Sequence, residues 1–453
     1  MGSAERVTVI GGGLAGTEAA LQLADHDFRV RLYEMRPHVS GPAHCTDALA
    51  ELVCSNSFKG TCPATASGAL KSELTSLGSH LMRAAEQTRV PAGAALAVDR
   101  QRFSRLLTEM VSDHPSIELI REEVTTIPTN GPVIVATGPL TSPALETVLG
   151  DLIGRERLAF YDAAAPIVDG ESIDRERVFA ASRYGKGGGA DYLNCPMNRD
   201  EYERFISELV SAKQVVKKKF ETADLFQACQ PVEEVARRGV DALRFGPLKP
   251  VGLIDPVSGM RPWAVVQLRP ENTAGTAYNI VGFQTNLTFP EQRSIFSRIP
   301  GLGRAEFLRF GVMHRNTFVD APRLLTKTLA LRAEPRIRLA GQITGTEGYL
   351  EAAASGLIAA LNITAERDGH PPVVLPATTA LGALLEYATN EDTAPYQPMH
   401  VNWGLVPPLD PPVRGKRERY AMYGKRARDD FDLWRAGHSL FETAAIAPGE
   451  QSA

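Results

Sequence analysis

The chain has 453 residues, 43% of them hydrophobic and 23% charged, the proportions of an ordinary globular protein. That composition excludes disorder, collagen and a coiled coil, and at about 100–200 residues per domain the length suggests two to four domains. A net charge of −4 excludes a global polycation, so any nucleic-acid surface is a local patch.

No stretch reaches the roughly 18 consecutive apolar residues of a membrane span. The longest candidate, Ala352 to Ile363, is broken by Ser355, Gly356 and Asn362. The first strand-like run starts at Arg6, which leaves no room for a signal peptide. Five cysteines, Cys45, Cys54, Cys62, Cys195 and Cys229, are an odd and sparse set. They read as free thiols rather than a disulfide framework. The expected location is the cytoplasm, with no membrane contact, no metal site and no evident protein partner.

In chain order, Val7-Thr8-Val9-Ile10 reads as a buried strand that enters Gly11-Gly12-Gly13-Leu14-Ala15-Gly16. A helix follows, with Ala15, Ala19, Ala20 and Leu23 on one face. Val30 and Leu32 then alternate with Arg29, Arg31 and Tyr33 in a second strand that ends at Glu34. This is a strand–helix–strand unit of the size expected for a βαβ unit. A loop-rich stretch follows, holding one helix from about Gly68 to Gln87. Asp99 to Met110 is another helix, Ile117 to Ile127 an extended segment, and Pro132 to Ala136 a buried strand. From about Tyr161 to Phe318 the character changes. Short strands such as Trp263 to Leu268 and Asn279 to Phe283 mix with helices such as Asp200 to Ala212. Ile337 to Ala340 is again a strand, followed by a glycine-punctuated turn from Gly341 to Gly348 and an Ala-rich helix from Tyr349 to Asn362. Between Arg414 and Arg428 lie seven Lys or Arg and one Glu. The expected architecture is α/β: a Rossmann-like FAD-binding domain of glutathione-reductase type with an inserted α+β domain. Its first part is 1–160, the insertion 161–318, its second part 319–410, and a partly disordered basic extension 411–453.

Gly11, Gly13 and Gly16 fit the G-x-G-x-x-G fingerprint. The first glycine permits a tight turn, the second lets the backbone approach a pyrophosphate, and the third allows close helix–strand packing. The helix N-terminus, at Leu14 and Ala15, then presents free N–H groups and a positive dipole end to phosphates. Glu34, 18 residues after Gly16, sits where a carboxylate accepts hydrogen bonds from ribose hydroxyls. Two later features favour FAD over NAD as the bound dinucleotide. One is the strand ending in Ala136-Thr137-Gly138. The other is the turn and helix containing Gly341, Gln342, Glu347, Gly348 and Tyr349, whose N-terminus could stabilise negative charge on a flavin ring. No second fingerprint lies in a strand–helix context, so a nicotinamide reductant would bind transiently.

Cys54 lies in Glu51-Leu52-Val53-Cys54-Ser55-Asn56-Ser57 and Cys229 in Phe226-Gln227-Ala228-Cys229-Gln230-Pro231. From local sequence each is either a buried inert thiol, the commoner fate, or a chemical one. At this point the chain resembles the folate- and FAD-dependent tRNA (uracil-5-)-methyltransferase family. The matching stretches are Gly11–Gly16 with Glu34-Met35-Arg36-Pro37, Glu51–Ser57, Val90–Gly93 with Leu96–Arg100, Ala136–Thr141, Ala190–Met197, Phe245–Asp255, Gly311–Phe318, Gly341–Gly356 and Asn402–Pro408. Gly341–Gly356 is also shared with the glucose-inhibited division protein A family. The resemblance implies methylation of the T-loop uridine of tRNA to ribothymidine, with carbon from 5,10-methylenetetrahydrofolate. It also implies that FAD handles carbon and hydride, that NADH or NADPH supplies electrons, and that Cys54 and Cys229 are the catalytic thiols. Uracil C5 is a poor nucleophile until a thiolate adds to C6, and a base must later remove the C5 proton. Cys229, in the inserted domain, is assigned the attack and Cys54 the proton removal. The reverse assignment stays open.

His314, Arg315 and Asn316 form a run of strong hydrogen-bonding side chains, read either as a pterin or substrate contact or as a strand-end network. Arg36 belongs to the matched Glu34–Pro37 stretch, and Tyr349 is read either as a pterin-stacking ring or as core. Arg183 with Tyr184 and Lys186, and the run Lys217, Lys218, Lys219, are either RNA contacts or solvated charge. The Arg414–Arg428 stretch, with Tyr420 and Tyr423, is either an auxiliary tRNA arm or disorder. The rival readings are an FAD-dependent oxidoreductase of a small metabolite without an RNA substrate and a non-catalytic flavin-bearing RNA-binding module.

Overall fold

A computed structural model describes residues 5–41, 43–154, 158–159, 162–185, 190–215, 230–270, 275, 277–314, 317–393, 396 and 398–441. β1 (Arg6–Ile10) is buried at every residue after Arg6, as the continuous apolar run of a parallel strand requires. It pairs in parallel with β2 (Arg29–Tyr33), and α1 (Leu14–Asp25) makes the crossover. The chain continues through β3 (Ser57–Gly60), α2 (Ala66–Ser76), α3 (His80–Gln87), β4 (Arg89–Val90), β5 (Ala95–Val98), α4 (Arg100–Ser112), β6 (Ile117–Ile120), β7 (Val133–Val135) and α5 (Pro143–Ile153). β6 adds to β2 and β7 to β1, both in parallel, while β3, β5 and β4 make a small antiparallel sheet.

Two expectations change here. The helix expected from Gly68 to Gln87 is two helices. Gly78 adopts φ +81°, and the Ser79 hydroxyl accepts the N–H of Met82 to start α3 anew, a side-chain cap that stabilises a helix start by about 1 kcal/mol. The extended segment expected from Ile117 to Ile127 keeps regular pairing only to Ile120.

Beyond α5 the chain leaves the parallel sheet. It forms β8 (Leu158–Ala159), β9 (Asp162–Ala164), β10 (Ile167–Asp169), β11 (Phe179–Ala180), β12 (Leu193–Met197), α6 (Arg199–Ser211), α7 (Val232–Arg237), α8 (Ala242–Phe245), β13 (Ala264–Pro270), β14 (Ala277–Ile280), α9 (Phe289–Phe296), β15 (Phe307–Arg309), β16 (Val312–His314) and β17 (Phe318–Val319). Six of these strands make an antiparallel sheet in the order β11-β12-β13-β14-β10-β15. Helix α6 starts with a reciprocal capping box between Asn198 and Glu201. It packs Tyr202 and Phe205 into a separate core with Cys195, Phe283 and Phe296. The outgoing and returning strands pair with each other, β9 with β16 and β8 with β17.

The chain then passes α10 (Ala321–Leu324) and re-enters the first sheet as β18 (Ile337–Leu339), beside β7. The parallel order is β18-β7-β1-β2-β6. Helices α11 (Tyr349–Asp368), α12 (Ala380–Thr389) and α13 (Lys416–Ala436) complete the fold. α1 and α11 approach closely because glycines allow it. A Cβ at Gly356 would lie 2.1 Å from the Ala15 carbonyl oxygen, and one at Gly16 would lie 1.8 Å from that of Gly11. Both N-termini border one cleft, α1 with Leu14 and Ala15 and α11 with Tyr349 and Ala352.

The Arg414–Arg428 stretch, left between an RNA arm and disorder, supplies α13 from its start at Lys416 to Arg428. Its Tyr423 is buried and stacks on Trp403 with ring centroids 5.7 Å apart, while Ala427 and Phe431 join the main core. Tyr423 is therefore a packing residue, not an exposed platform for bases. Among the described residues, no helix is long and apolar enough to cross a membrane.

Candidate functional site

In an open parallel sheet ligands bind at the carboxyl ends of the strands. Here the ends of β1, β2 and β7 and the turn after β18 surround a cleft with about 1090 Å³ of empty space, its open mouth included. Its walls include Gly11, Gly13, Leu14, Ala15, Glu34, Arg36, Thr137, Gly138, Gly341, Gln342, Gly348 and Tyr349. Gly16 lies behind the wall, against Gly11. Glu347 is buried, outside the lining, with its N–H on the Met399 carbonyl.

The geometry fits a dinucleotide. A Cβ at Gly13 would meet nothing within 4 Å, so the bare backbone faces open space that a side chain would fill. Glu34 Oε2 accepts the N–H of Gly12 at 2.9 Å, and Oε1 accepts the Arg36 N–H at 3.0 Å and Arg36 Nε at 2.8 Å. Burial works against the charged form of Glu34, but the Arg36 guanidinium and the two amides outweigh it and hold the carboxyl below its ordinary range. A carboxylate has about four lone pairs, so these three bonds leave one for a ribose hydroxyl. Arg36 is itself buried. Its Nη1 reaches Glu51 Oε2 at 2.8 Å and the Thr46 carbonyl at 3.1 Å, so it ties two carboxylates together.

Cys54 lines the same cleft, half-buried, on the loop between β2 and β3. The Tyr349 hydroxyl oxygen accepts the N–H of Cys54 at 2.9 Å and that of Ser55 at 3.0 Å, and lies 3.0 Å from Cys54 Sγ. A phenol has two lone pairs and one proton. With both lone pairs taken by amides, the proton points at sulfur. Sγ is thus an acceptor, the arrangement that favours a thiolate. Burial, followed by the neighbouring Cys54, pushes the Tyr349 pKa well above its ordinary value, so the hydroxyl keeps the proton it donates. The ring also packs against Phe58 at 5.8 Å.

Cys195 differs completely. It is fully buried, and burial pushes its thiol pKa far up. Cys45 and Cys62 are exposed. Arg183 holds its own domain together: its guanidinium donates to Gln267 Oε1 at 2.9 Å and to the carbonyls of Val251, at 3.1 Å, and Lys249. His314 lies on β16 opposite Asp162. Cys229, Lys217, Lys218, Arg315 and Asn316 lie outside the described residues, as does Lys186.

Four residues near the cleft carried no sequence expectation of a role. Glu51 anchors Arg36. Arg100 donates to the Leu52 carbonyl, Arg309 to the Val53 carbonyl at 2.7 Å, and Arg269 to Ser55 Oγ at 2.7 Å. Glu51 lay within a matched motif, which was the available signal. Arg100 likewise closed the matched stretch Leu96–Arg100, whereas Arg269 and Arg309 act across 214 and 256 residues of sequence, and no local pattern marks them.

Taken together, sheet order, glycine turn and cleft define a Rossmann-like FAD-binding fold with an inserted α+β domain. The solved structure of GidA from Aquifex aeolicus shares it, with a TM-score of 0.67 at 17% identity, covering 96% of this chain and 78% of that one. The glucose inhibited division protein A family matches residues 6–371. A methylenetetrahydrofolate–tRNA-(uracil-5-)-methyltransferase TrmFO from Moorella thermoacetica is 53% identical over 95% of this chain and 98% of its own length. The protein of the same name from Thermosynechococcus vestitus is 55% identical over 96% of each. The chain belongs to this methyltransferase family, within the glucose inhibited division protein A family.

Proposed function

We propose that the protein converts the T-loop uridine of tRNA to ribothymidine, with the carbon from 5,10-methylenetetrahydrofolate, bound FAD, and NADH or NADPH as reductant. The observation that carries the reading is a thiol, Cys54, in the wall of the cleft that the glycine fingerprint lines. FAD supplies one-carbon and two-electron chemistry that no side chain provides. The chain's own residues do the rest. The backbone of Gly11 to Ala15 and the N-terminus of α1 would hold the pyrophosphate, and Glu34 would hold the ribose. The turn from Gly341 to Gly348, at the start of α11, would serve the flavin ring.

On the uracil, one thiolate adds to C6 and makes C5 nucleophilic. We assign this to Cys229. After C5 has gained its carbon it still bears a proton, which Cys54 removes, and the C6–S bond then breaks. The net change replaces the C5 hydrogen by a methyl group, with two electrons from the nicotinamide. The Tyr349 hydroxyl, by donating to Sγ, favours the anionic form of Cys54 that a base requires.

The test is to purify the protein, record a flavin absorbance spectrum, and follow labelled methylene carbon from the folate into a T-arm transcript. Flavin with no label transfer to the transcript defeats the reading. A 5-fluorouridine minihelix traps the C6 adduct. Trapping should survive Cys54→Ala and fail in Cys229→Ala, and the opposite result reverses the two roles.

A further inference from the structure

We infer that the inserted domain sets the position and reactivity of Cys54 through Arg309 and Arg269, which makes these two arginines positioning residues for the reaction proposed above. The inference rests on that reading for its consequence, not for its geometry. The peptide unit between Val53 and Cys54 is held at both ends. Its carbonyl accepts from Arg309 Nη1 at 2.7 Å, and its N–H donates to Tyr349 Oη at 2.9 Å. Arg309 belongs to β15 of the inserted sheet, and Tyr349 to α11 of the nucleotide-binding part. The plane that carries the Cys54 thiol is thus fixed between the two halves of the molecule. Arg309 Nη2 also reaches the Ala165 carbonyl at 3.3 Å, so the guanidinium fork bridges the loop to its own domain.

The next residues repeat the pattern. Arg269, buried on β13, donates from Nη2 to Ser55 Oγ at 2.7 Å and from Nε to Asn56 Oδ1 at 2.8 Å. Asn56 is fully buried and returns the link. Its Nδ2 donates to Val98 in one part at 3.0 Å and to Pro270 in the other at 2.9 Å. From the nucleotide-binding part, Arg100 on α4 holds the Leu52 carbonyl. Among the described residues, the groups hydrogen-bonded to the loop include these three arginines and Tyr349, while His44, Glu122 and Glu123 line the same cleft. Glu51, at its start, turns away to Arg36 and the amides of Cys45 and Thr46. Three cations around one short loop favour a thiolate there, and the planar fork of arginine fixes direction as a lysine cannot.

The test uses the flavin-loaded full chain without tRNA or folate. Iodoacetamide modification of the Cys54 peptide is followed by mass spectrometry as a function of pH, with exposed Cys62 as internal reference. Arg309→Gln and Arg269→Gln should move the Cys54 profile to higher pH and slow modification at pH 7 about three- to tenfold, with Cys62 unchanged. A Cys54 profile identical to wild type, or one that moves together with that of Cys62, overturns the inference. Arg309→Lys guards against misfolding of the neutral variants. It keeps the charge and loses the bridge, so the profile midpoint should hold while the plateau rate at high pH changes at least about threefold; an unchanged plateau overturns the positioning role. Because the assay needs no methyl transfer, its result stands even if Cys54→Ala proves active and the proposed function fails.

Discussion

The two sheets meet at the same loop but contribute different things to it. The parallel sheet offers backbone. Its strands β7 and β18, and β1 after Arg6, are buried on both faces, and the turn at the carboxyl end of β1, with Gly11, Gly13 and the start of α1, faces the cleft. The inserted antiparallel sheet offers long side chains, Arg269 and Arg309, that reach out to the Cys54 loop. The contrast extends to their thiols. Cys54 sits on a loop at a sheet edge beside a phenol that donates to it. Cys195 sits on β12 inside an apolar core, where burial suppresses ionisation. A thiol's chemistry comes from which of these surroundings it occupies, not from its being a cysteine.

The sharpest way to break this contrast is to remove each thiol in turn. Cys54→Ala should lower labelled-methylene transfer to a T-arm transcript by about a thousandfold or more, as loss of an essential base or nucleophile does. Cys195→Ala should leave transfer within about twofold and lower the melting temperature instead, through a small cavity costing about 1 kcal/mol. Equal activity losses in the two variants would erase the distinction. Next comes the backbone contribution of the parallel sheet. In Gly16→Ala the new Cβ meets the Gly11 carbonyl oxygen at 1.8 Å, so the turn must shift. Titration with FAD, read by flavin fluorescence, should show binding about a hundredfold weaker, or about 2.7 kcal/mol. Full-strength binding would show that the turn does not hold the cofactor.

Smaller again is the effect expected at the junction. Tyr349→Phe leaves the N–H groups of Cys54 and Ser55 without their acceptor and removes the donor to Sγ. Turnover should fall about tenfold, with KM for tRNA unchanged and the alkaline shift of the rate–pH profile expected when thiolate support is lost. A change confined to KM would return Tyr349 to a substrate-contact role.

The parts of this site differ in how far the sequence reveals them, and the cause is range. The Gly11–Gly16 turn and Glu34 interact within 22 residues, inside one βαβ unit whose periodicity is visible. The Cys54–Tyr349 contact spans 295 residues and the Arg309–Val53 contact 256. Such pairs follow from how an inserted sheet docks, which no local pattern encodes. Two other features are encoded locally but masked by their surroundings. Gly78-Ser79 is a helix stop followed by a cap, and it divides what reads as one helix. In α13, Tyr423, Ala427 and Phe431 recur at intervals of four, an apolar face obscured by the surrounding basic residues.

The mildest test concerns stability rather than chemistry. Glu73 on α2 is buried, and its two carboxylate oxygens accept the N–H groups of Ala380 and Leu381, each at 2.8 Å, at the start of α12. Burial pushes its pKa from 4.5 up to about 7, against the opposing pull of those two amides. The folded chain therefore keeps this proton up to about pH 7, whereas the unfolded chain releases it near 4.5. Between those values the folded state binds more protons, so stability falls as pH rises. The contribution is complete below about pH 4.5 and gone above about pH 7, with an upper size of about 3 kcal/mol. Lys71, which burial lowers to about 8, is still charged through most of this window and adds little slope of its own. Melting temperatures of the flavin-loaded protein between pH 5 and 7.5 should therefore decline more steeply in wild type than in Glu73→Gln, which has no carboxyl to ionise. Parallel curves would mean that the amides of α12 already hold the carboxylate charged at low pH, and that the α2–α12 contact is an anion cap rather than a buried acid.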